Sequence, residues 1–130
     1  MLTDTGSNQT THDIIGCAIK VHKALGPGLL ESAYAACLTF ELTECGHAVE
    51  VKKPVPLVYR SITLPVSYSL DMLVDGQVVV ELKSVDALAP IHDAQLLTYM
   101  RLTGCKVGLL INFNVPVVKD GIRRKISPAI

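Results

Sequence analysis

The chain has no tryptophan, and aromatic residues make up only 5% of its 130 residues. Rows of aromatic side chains on which single-stranded nucleic acid stacks are therefore excluded. It also lacks net charge, because 12 Lys and Arg balance 12 Asp and Glu. A domain that holds nucleic acid through its whole-molecule field is basic, so any grip here must come from a local patch. No apolar run is long enough to cross a bilayer and no secretory leader is visible, so no membrane partner is expected and the compartment expected is cytoplasmic. Cys17, Cys37, Cys45 and Cys105 form no CxxC pair and stand at no metal-like spacing from a histidine. They read as small buried hydrophobes in a reducing compartment, which disfavours a redox or iron–sulfur role.

What the chain has in excess is apolar surface. Hydrophobic residues make up 49% and charged residues 18%, with a mean hydropathy of +0.39. This length suits one domain with a filled core, and the surplus points to a homo-oligomer. Residues 1–11 are small and polar and read as a disordered tail, leaving residues 12–130 as a single domain. Ile14, Ile15, Ala18, Ile19, His22 and Leu25 recur at helical spacing, so residues 12–25 read as an amphipathic helix. Gly26-Pro27-Gly28 interrupts it, and a second helix is expected over residues 30–45, closed by Gly46. A strand over residues 49–53 follows. Pro54 and Pro56 hold the next segment at an edge or turn, and short strands flank a turn at Arg60-Ser61 until Pro65. Residues 66–74 and 77–85 form a hairpin, residues 92–103 a third helix, and residues 105–112 a buried strand. Edge pieces are expected at residues 115–118 and 122–126. This order of elements predicts a mixed sheet with helices packed on it.

The hairpin carries the anomaly. Its second strand is apolar on both faces apart from Glu81, Lys83 and Ser84, which places it inside a sheet. Glu81 and Lys83 are two apart and share a face, and Asp71 is a third charge on the preceding strand. Register decides whether they meet. A two-residue turn at Asp75-Gly76 would point Asp71 away from Glu81. A three-residue loop, Val74-Asp75-Gly76, pairs Leu73 with Gln77, sets Asp71 opposite Val79 and makes Glu81 its diagonal neighbour. The odd loop is the expected one. A buried structural ion pair would be costly to desolvate, so the triad reads as functional. Two carboxylates and the backbone carbonyl of Leu82 offer hard oxygen ligands for Mg²⁺ or Mn²⁺, and Lys83 beside them would orient or deprotonate a water. Such a site suits phosphodiester hydrolysis.

Two helices add candidates. Glu31 shares a helix face with Tyr34, Ala35, Leu38 and Leu42. Read alone, it is a first-turn acid favoured by the helix dipole and reaching water. His92, Gln95 and Tyr99 form a stripe beside core-facing Leu96 and Met100, and read alone they are a solvent face. His22 lies on the apolar side of the first helix as a hydrogen-bonded packing residue.

Gly28-Leu29-Leu30-Glu31-Ser32-Ala33-Tyr34 is a GxxExxY motif. With IIGCAIKVHKALGP before it, then Asp71, Glu81-Leu82-Lys83 and HDAQLLTYMRLTGCKVGLLINF, the chain closely resembles the bacterial and archaeal GxxExxY family, over residues 13–126. That family is grouped with the PD-(D/E)XK nuclease superfamily. The resemblance implies a three-layer α/β/α restriction-endonuclease-like fold, with an αβββαβ core and a mixed central sheet. It implies that Asp71 and Glu81 hold a metal, that Lys83 is the lysine of the ExK strand, and that Glu31 and Gln95 join the catalytic set. Gly28, Tyr34, His92 and Tyr99 match the family pattern without an assigned role. Two readings of function stand. One is a Mg²⁺- or Mn²⁺-dependent nuclease acting on DNA or RNA, with Lys20, Lys23, Lys52, Lys53, Arg60 and Arg101 as groups that could grip the substrate. The other is a non-catalytic oligomeric or nucleic-acid-associated protein that keeps the nuclease fold.

Overall fold

The computed structural model describes residues 5–127. Helix α1 (Thr5–Leu25) is followed by helix α2 (Glu31–Glu44). Two long strands come next, β1 (Val49–Tyr59) and β2 (Ile62–Val74), then β3 (Val78–Lys83). Helix α3 (Pro90–Thr103) crosses over to β4 (Val107–Asn112), and a 3-10 turn at Val118–Gly121 leads into β5 (Ile122–Ile126). Helix α1 starts earlier than its apolar periodicity indicated. Residues 5–11, expected in a disordered tail, are its first turns. Thr10 and Thr11 are buried there, and Thr11 Oγ1 donates to the Ser7 carbonyl. Residues 1–4 and 128–130 lie outside the described residues.

The sheet order is β1-β2-β3-β4-β5. Strands β3 and β4 run parallel, and the other pairs are antiparallel. The mixed sheet separates two apolar cores. On one face α1 and α2 cover Met72, Val74, Val80, Leu82, Leu109 and Ile111. On the other α3 covers Leu70, Leu73, Val79 and Leu110. The chain is thus a three-layer α/β/α fold with an αβββαβ core, as expected. Gly108 lets α3 lie close on β4, since a Cβ there would come within 2.6 Å of Met100 Sδ.

Several boundaries differ from the sequence reading. The prolines do not divide the second quarter of the chain. Pro54, Pro56 and Pro65 all lie within β1 and β2, which pair along one long hairpin. Strand β1 is the sheet edge, where a missing N–H costs no ladder bond. Val115 to Val118 add no strand, while β5 forms as expected. Cys45 is exposed and Cys37 half-buried, so only Cys17 and Cys105 fit the reading as buried hydrophobes. All four thiols are free, and burial, reinforced by Cys45, pushes Cys17 up to about 11.

The central hairpin has its odd loop one residue later than expected. Val74 pairs with Val78, and Asp75, Gly76 and Gln77 form the loop. Asp75 is drawn out of the ladder because its carboxylate is already held. It accepts hydrogen bonds from the Ala48 N–H at 2.9 Å and from Thr10 Oγ1 at 3.2 Å. It also faces His47 Nδ1 at 2.6 Å, while His47 Nε2 faces Asp13 at 2.8 Å. His47 therefore ties helix α1, the α2–β1 connection and the hairpin turn together. Its hydrogen bonds to Asp75 and then Asp13 raise its pKa above the ordinary histidine value, outweighing burial. His47 in turn lowers Asp13. Asp75 is also lowered, its bonds to His47 and Ala48 overcoming the upward push of burial.

The sign of the pH dependence follows. A raised imidazole contributes fully below its unfolded pKa of about 6.5 and loses that contribution as pH climbs through its folded value. The lowered carboxylates contribute above about 3.9 and fail as pH falls through their folded values. Melting temperature is expected to be highest between these limits, and His47→Gln should flatten the alkaline limb. A variant whose melting profile parallels the wild type across the alkaline range would show that the tie carries no stability.

Candidate active site

Asp71 and Glu81 meet where the sheet splits. The β2–β3 ladder ends at Met72↔Val80, and the same register continued by one step sets Asp71 directly opposite Glu81 rather than diagonal to it. Backbone donors freed there need acceptors. The two carboxylates supply them. The Asp71 N–H donates to Glu81 Oε2 at 2.9 Å, and the Leu82 N–H donates to Asp71 Oδ2 at 2.8 Å. The strand alternation also slips at this point. Leu70 and Leu73 are three apart yet both pack in the α3-side core, and Lys52, across from Asp71 on β1, takes a left-handed φ of 53°. A lysine in that conformation is strained. Lys52, Asp71, Leu82 and Glu31 line one open cleft.

Glu81 is 6% exposed. Burial, then the neighbouring Asp71 charge, pushes its carboxyl up to about 8, against the opposing charge of Lys83. Two carboxylates in a poorly hydrated seam repel each other, and a divalent cation is the group that relieves both burial and repulsion. The donor set fits such an ion. Within a strand, a residue's N–H and C=O point to the same edge. The Leu82 N–H is directed at Asp71, so its carbonyl also faces β2. The Lys83 carbonyl faces the other way and accepts the Phe113 N–H at 3.0 Å. Among the described residues, no three His, Cys, Asp or Glu side chains gather as a metal-holding group. The available ligands are two carboxylates and one carbonyl, with water for the rest, a set Mg²⁺ tolerates.

The remaining expected residues divide. Glu31 is exposed at the first position of α2, and its carboxylate accepts the Ser84 N–H at 3.3 Å. It borders the cleft without joining the carboxylate pair. Tyr99 is near enough for Glu81 and Asp71 to raise its pKa after burial, and its ring tilts against Tyr68 at 6.2 Å. Gln95 is exposed one turn earlier. His92 has a local task, since its Nδ1 accepts the Ala89 N–H at 3.0 Å and caps α3. Tyr34 is fully buried, and its hydroxyl donates to the Gly26 carbonyl at 2.6 Å and accepts the Leu29 N–H at 3.1 Å. Gly26 and Gly28 bend that loop with φ of 72° and 98°. The loop meets the end of β3, where Ser84 Oγ donates to the Leu29 carbonyl at 2.7 Å. The motif thus clamps the start of α2 to the residue that follows Lys83. His22 behaves as expected, buried with Nε2 at 2.8 Å from the Val115 carbonyl.

One supporting residue escaped the sequence reading. Buried Asn112 closes β4 and bonds both backbone groups of Val85, at 3.1 Å and 2.9 Å. It holds the chain leaving the ExK strand. The available signal was a polar residue ending an otherwise apolar strand.

A mixed sheet sandwiched by helices, split open over an acidic pair with a lysine beside it, defines a nuclease-like α/β protein. The family model of the PD-(D/E)XK nuclease superfamily matches residues 8–125, and the chain belongs to that superfamily. No curated protein and no solved structure matches it. Nucleases of this superfamily generally use divalent metal ions. Among the described residues, no helix is long and apolar enough to cross a membrane.

Proposed function

We propose that this chain is a Mg²⁺- or Mn²⁺-dependent nuclease of the GxxExxY kind, hydrolysing phosphodiester bonds of DNA in the cytoplasm. The observation that carries the reading is the Asp71–Glu81 pair where β2 leaves β3, Glu81 buried and Asp71 half-buried at the cleft, with Lys83 on the Glu81 face. A stabilising sheet would fill this seam with apolar side chains, so two facing carboxylates there point to a ligand. A divalent ion bound by them would polarise a phosphate oxygen and acidify water. Lys83 would orient that water and take or screen its proton. The water oxygen bonds to phosphorus as one P–O ester bond breaks, and the departing oxygen gains a proton. Glu31 and Gln95 would act from the rim of the cleft.

The test is cleavage of supercoiled and single-stranded DNA in Mg²⁺ and Mn²⁺. Lys83→Ala is expected to lower the rate by about 100-fold or more with the fold intact, the range of a lost acid–base group. Cleavage surviving in that variant or in EDTA would overturn the assignment. The second reading, a nuclease fold kept as a non-catalytic oligomer, draws on the exposed positions of Glu31 and Gln95. On that reading Lys83→Ala would change only stability or assembly.

Self-association is expected on either reading. The expectation rests on the apolar composition, 49% hydrophobic in a chain of this size, and Leu30 and Phe40, 76% and 61% exposed, are side chains an interface would cover. Light scattering showing a monomer at high concentration would count against it.

A further inference from the structure

The β1–β2 hairpin outruns its sheet. Strand β3 pairs with β2 only at Met72 to Val74, while β1 and β2 stay paired out to Tyr59↔Ile62. Residues 56–69 thus belong to a two-stranded arm that extends roughly 20 Å at about 3.4 Å per residue. None of them is buried. The arm's root is held by α3, where Tyr68 tilts against Tyr99 at 6.2 Å. Beyond that support a two-stranded ribbon is marginal in water, so the outer part implies something to lie against.

Its composition says what. Between Glu50 and Asp71 there is no acidic residue, while Lys52, Lys53 and Arg60 are all basic. Within residues 56–69 Arg60 is the one charged side chain. At the root Lys53 is shared with Glu50 at 2.8 Å, so the hairpin's net positive charge rests on Lys52 and Arg60, with no acid between them. Arg60 makes the tip with φ 58°, beside Tyr59, which is 63% exposed. Lys52, at the root, shares the cleft with Asp71. A second copy of the chain suits the arm poorly. Strand addition is disfavoured on both edges, because Pro54 and Pro56 lack N–H donors on β1 and Pro65 lacks one on the stretch of β2 that β3 leaves open, and two Arg60 tips would repel. A phosphate backbone suits it well, and a two-stranded ribbon has the width of the B-DNA major groove.

We propose that residues 56–69 are the duplex-DNA grip of this protein, a β-ribbon laid in a groove with Tyr59 and Arg60 leading and the cleft at its root. The proposal takes its substrate class from the nuclease reading, yet it is measured by binding and not by turnover. The experiment is fluorescence anisotropy of a short labelled duplex in EDTA, over a salt series, with the full chain and with Tyr59→Ala/Arg60→Glu and Ile62→Ser. All three positions are exposed, so melting temperature should hold. Binding is expected to weaken about tenfold or more in the double variant, with the salt slope falling by about one. In Mg²⁺, plasmid cleavage should show a raised KM at unchanged kcat. Equal duplex binding by variant and wild type would overturn the grip and leave the nuclease reading standing. Loss of an oligomer in light scattering, or preferential binding of single strands, would overturn it too. Absence of cleavage by a wild type that still binds duplex through the arm would uphold the grip and sink the nuclease reading instead.

Discussion

Glu81→Gln is expected to melt several degrees higher than the wild type in metal-free buffer, and to cleave DNA about 100-fold more slowly or worse. The two effects have one cause. Glu81 is buried beside Asp71 in the seam between β2 and β3. An amide there still accepts the Asp71 N–H and can donate to the Asp71 carboxylate, so repulsion becomes a hydrogen bond. Removing a buried, half-paired charge is worth on the order of 1–4 kcal/mol. The pH dependence sharpens this. A carboxyl raised to about 8 costs no stability below its unfolded pKa of about 4.3, costs progressively more as pH rises from there, and levels off above its folded value. The stabilisation by Gln should therefore vanish near acid pH and be greatest in mildly alkaline buffer. Divalent ions should raise the melting temperature of the wild type and leave Glu81→Gln unmoved. A Gln variant less stable than wild type at alkaline pH would mean that the carboxylate is a structural acceptor and not a site held open for a ligand.

The same seam shows where sequence reasoning reached and where it stopped. Apolar residues on both faces of β3 and the helical periodicities of α1, α2 and α3 report burial directly, so the layers and a mixed sheet could be anticipated from residue order. The strands β1 and β2 could not. Three prolines within them signal breaks, and only the folded sheet makes them tolerable: Pro54 and Pro56 lie on the edge strand β1, and Pro65 lies on β2 where β3 does not reach. The register of the central hairpin shows the same limit more finely. Its odd length was legible from Asp75-Gly76 and the charges. Its position was not, because the capture of Asp75 by His47, Thr10 and Ala48 depends on residues up to 65 positions away. The acidic pair was found because charge is rare among such apolar neighbours. Asn112 was missed because its task, holding the Val85 backbone with its side-chain amide, exists only once the chain is folded.

Tyr34→Ala is expected to cost about 3–5 kcal/mol, a large share of the roughly 5–15 kcal/mol that holds a domain together. Tyr34 is fully buried, and its ring lies flat on Phe113, with centroids 4.3 Å apart and planes within 6°. Truncation leaves an aromatic-sized cavity between α2 and the end of β4. Tyr34→Phe separates packing from polarity. It keeps the stack and loses the two hydroxyl bonds to the Gly26–Leu29 loop, at about 1–3 kcal/mol because buried partners are left unpaired. Urea denaturation resolves both values. The Phe variant has a second expected effect. Releasing that loop slackens Leu29 on Ser84 and Glu31 on the Ser84 N–H, and these bonds fix the backbone just beyond Lys83. Cleavage should therefore fall severalfold at a denaturant concentration where the variant is still fully folded. If Tyr34→Phe matched the wild type in both stability and turnover, the tyrosine would be a packing residue alone. The link from the GxxExxY stretch to the site would then have to run through Glu31 by itself.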